Sequence, residues 1–129
     1  MSIQFENVKG LPILLVKAYP PLVEQDAVEN MQHAVELKKQ FPGKKIYRVM
    51  DFTAGIDFSG MMVCMAAERG QEGGANDPDI MSFFVGSHEL VEMGVSALKQ
   101  QPQYGQPTVF LFTSYDEAYN RAVKEAQAQ

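Results

Sequence analysis

Cysteine occurs once in the 129 residues, at Cys64, so no internal disulfide can close. No secretory run opens the chain either, since Glu6 and Lys9 interrupt it; both features point to the cytoplasm. No stretch approaches the roughly 20 apolar residues of a membrane span. Basic residues are scarce: 11 Lys and Arg against 16 Asp and Glu leave a net charge of -5. That excludes nucleic acid, whose phosphates demand clustered cations. The few basic groupings, Lys38-Lys39 and Lys44-Lys45 with Arg48, read as solvated faces. GxGxxG, Walker, HExxH, CxxC and GxSxG patterns are all missing, and His33 and His88 fall on different predicted helices. The expectation is therefore no cofactor, no metal site and no catalytic residues.

What is present has the composition of one globular domain, 46% hydrophobic and 21% charged, spanning residues 1–129. Residues 2–8 begin by alternating, with Ile3 and Phe5 opposed to Gln4 and Glu6, and Val8 out of phase. A turn at Lys9-Gly10 leads to a more buried strand over 11–18, with Pro12 tolerable only at its start or on an edge. A helix is predicted over 23–40, with Ala27, Val28, Met31, Ala34 and Val35 on one face and His33 opposite, toward solvent. Phe41-Pro42-Gly43 stops it. Further strands are predicted at 45–52, 80–85 and 109–112. Helices follow each: 59–69, a second with Leu90, Val91, Gly94, Ala97 and Leu98 inward, and a third with Ala118, Ala122 and Ala126 inward. Ser114 and Glu117 form a capping box for the last. Residues 70–79, rich in glycine and acids, read as a mobile surface loop, and 100–105 as a connection. The order ββαβαβαβα implies a mainly parallel five-stranded sheet packed by four helices, with the first strand antiparallel at one side.

The chain is organised around residues 48–65, RVMDFTAGIDFSGMMVCM: a buried strand closed by Asp51, a turn, and an almost wholly apolar helix. Cys64 sits in that apolar run and reads as a small core residue, its thiol pKa raised by burial, not as a nucleophile. This corner and the element order resemble STAS domains, the family of anti-sigma-factor antagonists and sulfate-transporter tails. Those carry a strand ending in an acid, a loop, then Asp-Ser-x-Gly-Leu at the head of a helix. Asp57, Ser59 and Gly60 match that pattern. The resemblance implies a regulatory, protein-binding module. It also implies a kinase-target serine directly after the Asp, and Phe58 stands there instead. Ser59 is expected to cap the helix through its hydroxyl.

A parallel sheet gathers its strand ends and helix N-termini at one edge, which is predicted to hold Asp51, Thr53, Asp57, Phe58, Ser59, Gly60, Met61, Met62, Ser87 and His88 as binding residues. Ser59, Ser87 and Ser114 read first as caps of their own helices. Asp57 is expected to engage the donors of the helix it precedes. Catalysis would require one deep pocket holding both Asp57 and His88. The leading expectation is a non-enzymatic cytoplasmic module that binds another protein or itself, as a homodimer, through the corner and its helix. Met61 and Met62 are candidates for an exposed apolar patch. The alternative is a small-molecule domain holding an anion, nucleotide or lipid in the strand-end crevice near Asp57, Ser59 and Ser87.

Overall fold

The N-terminal alternation folds as a hairpin, β1 (Ile3–Asn7) antiparallel to β2 (Ile13–Ala18), with Ile3 opposite Ala18. The out-of-phase Val8 falls beyond the strand. Pro12 sits just before β2, where its missing N–H disturbs no ladder, and its carbonyl accepts from the Tyr47 N–H at 2.9 Å. β2, β3 (Ile46–Asp51), β4 (Ile80–Val85) and β5 (Val109–Phe112) run parallel, in the spatial order β1-β2-β3-β4-β5. Between them lie α1 (Glu24–Gln40), α2 (Phe58–Glu68) and α3 (Glu89–Gln100), and α4 (Tyr115–Gln127) ends the chain. The ββαβαβαβα order and mainly parallel sheet are those expected. The computed structural model describes residues 3–100 and 108–129, so the predicted connection lies, after Gln100, outside the described residues.

A strand order that never reverses decides where the helices go. Right-handed crossovers between successive neighbours put α1, α2 and α3 on one face, leaving the other to α4. On the first face Leu14, Val16, Ile46, Met50, Phe84 and Val109 pack with Ala34 and Leu37 of α1 and with Val91, Val95 and Leu98 of α3. On the second, Ile13, Tyr47, Val49, Phe83 and Val85 meet Ala118, Ala122 and Ala126 of α4. Short alanine side chains bring α4 close to a sheet face filled by aromatic rings. Phe83 is ringed by Tyr47, Phe110 and Phe112 at centroid distances of 6.1, 5.6 and 5.1 Å.

Three expectations are corrected. The buried stripe of α1 is Asp26, Ala27, Asn30, Ala34 and Leu37, while Val28, Met31 and Val35 lie half-buried at its margins. Two polar residues turn inward because each has a partner: Asp26 Oδ2 accepts from the Val23 N–H at 2.8 Å, and Asn30 Oδ1 from Arg48. Arg48 belongs to no solvated face. It is 1% exposed, in a strand whose every residue is buried. Its guanidinium donates to Gly73 O at 2.7 Å, to Ser82 Oγ at 3.1 and 3.3 Å and to Asn30 Oδ1 at 3.4 Å.

The segment 70–79 is accordingly more than a surface excursion. Gly73, Gly74, Ala75 and Asp77 are buried. Asp77 accepts from the N–H groups of Gly73 and Asp79 at 2.8 and 2.9 Å, and Thr108 Oγ1 donates to Ala75 O at 3.2 Å. Gly73 has a φ of +87°, and a Cβ there would lie 2.7 Å from Met31 O, so both the conformation and the space demand glycine. Its composition resembles a loop, but its polar groups are spoken for by the core.

Candidate functional site

The strand-to-helix corner is divided by the sheet itself. Side chains alternate across a strand, so Asp51 points to the α4 face while Phe52 points to the face carrying α2. Asp51 Oδ1 accepts from the Thr53 N–H at 2.8 Å, closing a tight turn, and its other oxygen lies 3.9 Å from Lys17 Nζ. With Lys17 nearly half exposed, that pair is weak. Asp51, Thr53 and Tyr115 line one shallow polar depression on this side, with Gln4 and Glu6. Burial, and then the nearby Asp51 and Glu6, push the Tyr115 phenol above its ordinary pKa.

Asp57 is on the other side of the sheet, at the head of α2. Its Oδ2 accepts from the Gly60 N–H at 2.8 Å and its Oδ1 from the Leu22 N–H at 2.9 Å. It engages the α2 donor as expected, but as the N-cap itself, and through Leu22 it also ties the start of α1 to α2. The expectation that Ser59 caps is corrected: Ser59 is an exposed residue of the first turn, its capping position already taken by Asp57. A Cβ on Gly60 would come within 2.6 Å of the Asp57 carboxylate and 2.7 Å of Leu22, so glycine is what lets the cap close.

Ser87 and His88 head α3, and the histidine supplies the cap. His88 Nδ1 accepts from the Leu90 N–H at 3.0 Å and its carbonyl from the Val91 N–H at 2.9 Å, while Ser87 is exposed outside the helix. Of the three serines expected to cap, only Ser114 does, accepting from the Glu117 N–H at 3.3 Å. His33 is exposed as predicted, yet its ring stacks on Phe5 at 3.9 Å. Asp51, Asp57 and His88 thus have separate structural tasks, two of them as helix caps. A ligand crevice at strand ends forms where strand order reverses, and this sheet has no reversal. No group of three or more His, Cys, Asp or Glu suited to a metal ion occurs among the described residues.

What the corner does assemble is an apolar helix with two unlike faces. Met61 is buried at 7% exposure, its sulfur set against Gly94 of α3, where a Cβ would approach to 3.0 Å. Cys64 and Met65 are half-buried and face the same way. Burial, reinforced by the charges of Glu68 and Asp26, pushes the Cys64 thiol up to about 12. A thiol reagent at pH 8 is expected to label it on the order of a thousandfold more slowly than free cysteine. Labelling within tenfold of the free rate would show an open thiol. The opposite face carries Phe58, Met62 and Val63, exposed by 53, 48 and 42%. Between Met61 and Met62 the helical turn of 100° alone decides which is inside.

Sequence reasoning missed the polar core behind α2. Arg48 is met at a distance by Glu68 and Asp77, whose charges support the guanidinium against its burial. Burial pushes the Glu68 carboxyl up, against the pull of Arg48 and of the Ala75 N–H. Asp77, buried as it is, lies below its ordinary range because Gly73, Asp79 and Lys38 all stabilise its charge. Lys38 Nζ reaches Glu72, Asp77 and Asp79 at 3.0, 3.2 and 3.2 Å. Those three contacts outweigh its desolvation and raise its pKa. The available signal was an arginine in mid-strand among apolar neighbours: in a strand covered on both faces, such a charge must be paired inside.

No protein-family model matches the chain, and no curated protein matches it. Comparison with solved structures returns the following similarities. One is to an uncharacterised protein of the DUF3478 family with a SpoIIAA-like fold, from Shewanella loihica PV-4, at a TM-score of 0.54 and 16% identity over 93% of this chain and 91% of that one. The other is to the murine Solute Carrier 26 family member A9 anion transporter, at a TM-score of 0.47 and 18% identity. The match covers 96% of this chain but only 19% of the transporter. Among the described residues no helix is long and apolar enough to cross a membrane. At this level of identity the likeness concerns architecture, and the chain is an α/β protein with a SpoIIAA-like fold, the arrangement its STAS resemblance implies.

Proposed function

We propose that this chain is a non-catalytic cytoplasmic docking module whose α2 outer face is covered by a second copy of itself. The observation that carries this is the exposed run Phe58, Met62 and Val63 on a helix with no charged residue from 58 to 67. A helix apolar all round is ordinarily buried all round, and here one side is bare. Val23, at the start of α1, and Met93, on α3, are each 51% exposed and add to the apolar surface of the same layer. The eleven residues of α2 span roughly 16 Å. With side chains a helix is about 10 Å across, so one face of that length offers on the order of 160 Å², far short of the roughly 800 Å² per partner of a standard interface; the flanks must join and the dimer should be concentration-dependent.

The position after Asp57, where the STAS resemblance implies a kinase-target serine, holds Phe58, the most exposed of the three α2 residues in this patch. The residue supplies contact area in place of a phosphorylation switch. An anion, nucleotide or lipid headgroup at the α2 N-terminus near Ser59 and Ser87 is the weaker alternative. The Asp57 carboxylate already takes the Gly60 donor there and would oppose a second negative charge.

Sedimentation equilibrium tests the dimer. Wild-type protein should move from 14.4 kDa toward twice that mass between micromolar and millimolar concentration. Met62→Glu should hold it monomeric with an unchanged melting temperature, because that side chain touches little of its own fold. A wild-type monomer throughout, or a variant that dimerises equally, overturns the proposal.

A further inference from the structure

Beneath α2, on the side away from the exposed patch, lies a cavity of about 80 Å³ between the helix and the sheet. Its walls are apolar, with Leu22, Phe52, Met61, Met65, Phe84 and Val95 prominent. Space of that size accommodates roughly five to eight water-sized groups, yet an apolar wall gives water few partners. At one end the cavity reaches Glu68, Arg69, Gly70 and Asn76, and the same four residues line a polar basin that continues over Lys38, Glu72, Asp77 and Asp79. A small apolar cavity therefore adjoins a charged, solvent-facing basin.

We infer that this two-part site takes a single-chain aliphatic amphiphile, its tail beneath α2 and a non-anionic, hydrogen-bond-donating head in the basin. The tail assignment follows from the small volume and mostly apolar lining, which admit a chain of about five to eight carbons and no large ring system. The head assignment follows from charge. Four carboxylates, Glu68, Glu72, Asp77 and Asp79, line the basin against two cations, Lys38 and Arg69. Lys38 is already engaged by three of the carboxylates, so it has little attraction left for a carboxylate or phosphate head. An amine or hydroxyl head meets acceptors instead. This site stands on residues other than those of the docking face.

Isothermal titration with 1-alkylamines, 1-alkanols and alkanoates of four to twelve carbons, at pH 7.5, reads the proposal directly. Affinity for amines and alcohols should climb about fourfold per methylene and level off by about eight carbons, once the cavity volume is filled. Alkanoates of equal length should bind at least tenfold more weakly. Val95→Phe, which fills the cavity, should abolish binding; if that variant does not fold, the chain-length series on the wild type carries the test. Met62→Glu should bind octylamine as the wild type does. Binding lost in Met62→Glu but kept in Val95→Phe would place the probe on the outer face and overturn the inference. So would affinity independent of chain length, or a preference for octanoate.

Discussion

Replacing Arg48 by methionine should lower the stability of the fold by about 3–5 kcal/mol, measured from the urea midpoint at constant slope. In a chain of this length that corresponds to a fall of roughly 10–20 °C in melting temperature. Methionine fills much of the space, so the loss comes from polarity and not from a void. Gly73 O, Asn30 Oδ1 and Ser82 Oγ each lose a donor inside the core. Glu68 loses the Arg48 charge that opposes the effect of burial on its carboxyl. Arg48→Lys should fall between, since an ammonium keeps the charge but cannot fork between Gly73 on one side and Ser82 on the other. Adding Glu68→Gln to Arg48→Met should recover part of the loss, because Gln needs none of the charge support that Arg48 gave Glu68. A loss below about 1 kcal/mol for the single variant would mean that desolvating the guanidinium cancels its bonds.

That network also marks where reading the sequence stopped. Strands covered on both faces and helices with a clear inner stripe announce themselves, so β4, β5 and α4 fall where their apolar periods put them. Asp57 was legible as a partner of helix donors because a carboxylate before a helix start has one obvious use. Ser59 was not, since two adjacent candidates compete for one capping position and the winner depends on where the first turn begins. Arg48 was grouped with Lys44 and Lys45 by proximity along the chain. A strand reverses facing at each residue, and the partners that make its burial tolerable come from α1, β4 and the 70–79 segment. The faces of α2 were equally hidden. Apolar residues spaced all round a helix carry no period, so only packing against the rest of the layer, α1 and Gly94 of α3 included, separates the buried Met61 from the exposed Met62.

Asp77→Ala should prove nearly as damaging, at about 2–4 kcal/mol, although the residue lies in what reads as a loop. Its carboxylate satisfies the Gly73 and Asp79 N–H groups and holds Lys38, and alanine leaves both donors without that acceptor. Asp79→Ala, which removes an exposed carboxylate 3.2 Å from the same lysine, should cost less than about 0.5 kcal/mol. The contrast separates a buried acceptor from a surface ion pair. It also fixes a pH dependence. The folded pKa of Asp77 lies below its unfolded value of about 3.9, so its contribution is complete above that value and drains away as pH falls through it toward the folded pKa. Glu68 acts in reverse: its raised pKa means that the folded state holds a proton more readily, and acidification relieves its burial. The difference in stability between wild type and Asp77→Ala should therefore be flat from pH 7 to about pH 5 and shrink below about pH 4. Urea titrations at four or five pH values check this, with amide exchange at Gly73 and Asp79 reporting the local opening. A difference that stays constant to pH 3 would show that Asp77 acts through packing alone. One that shrinks as predicted makes the segment a charge-locked rim of the basin, held by the same carboxylate that supports Arg48.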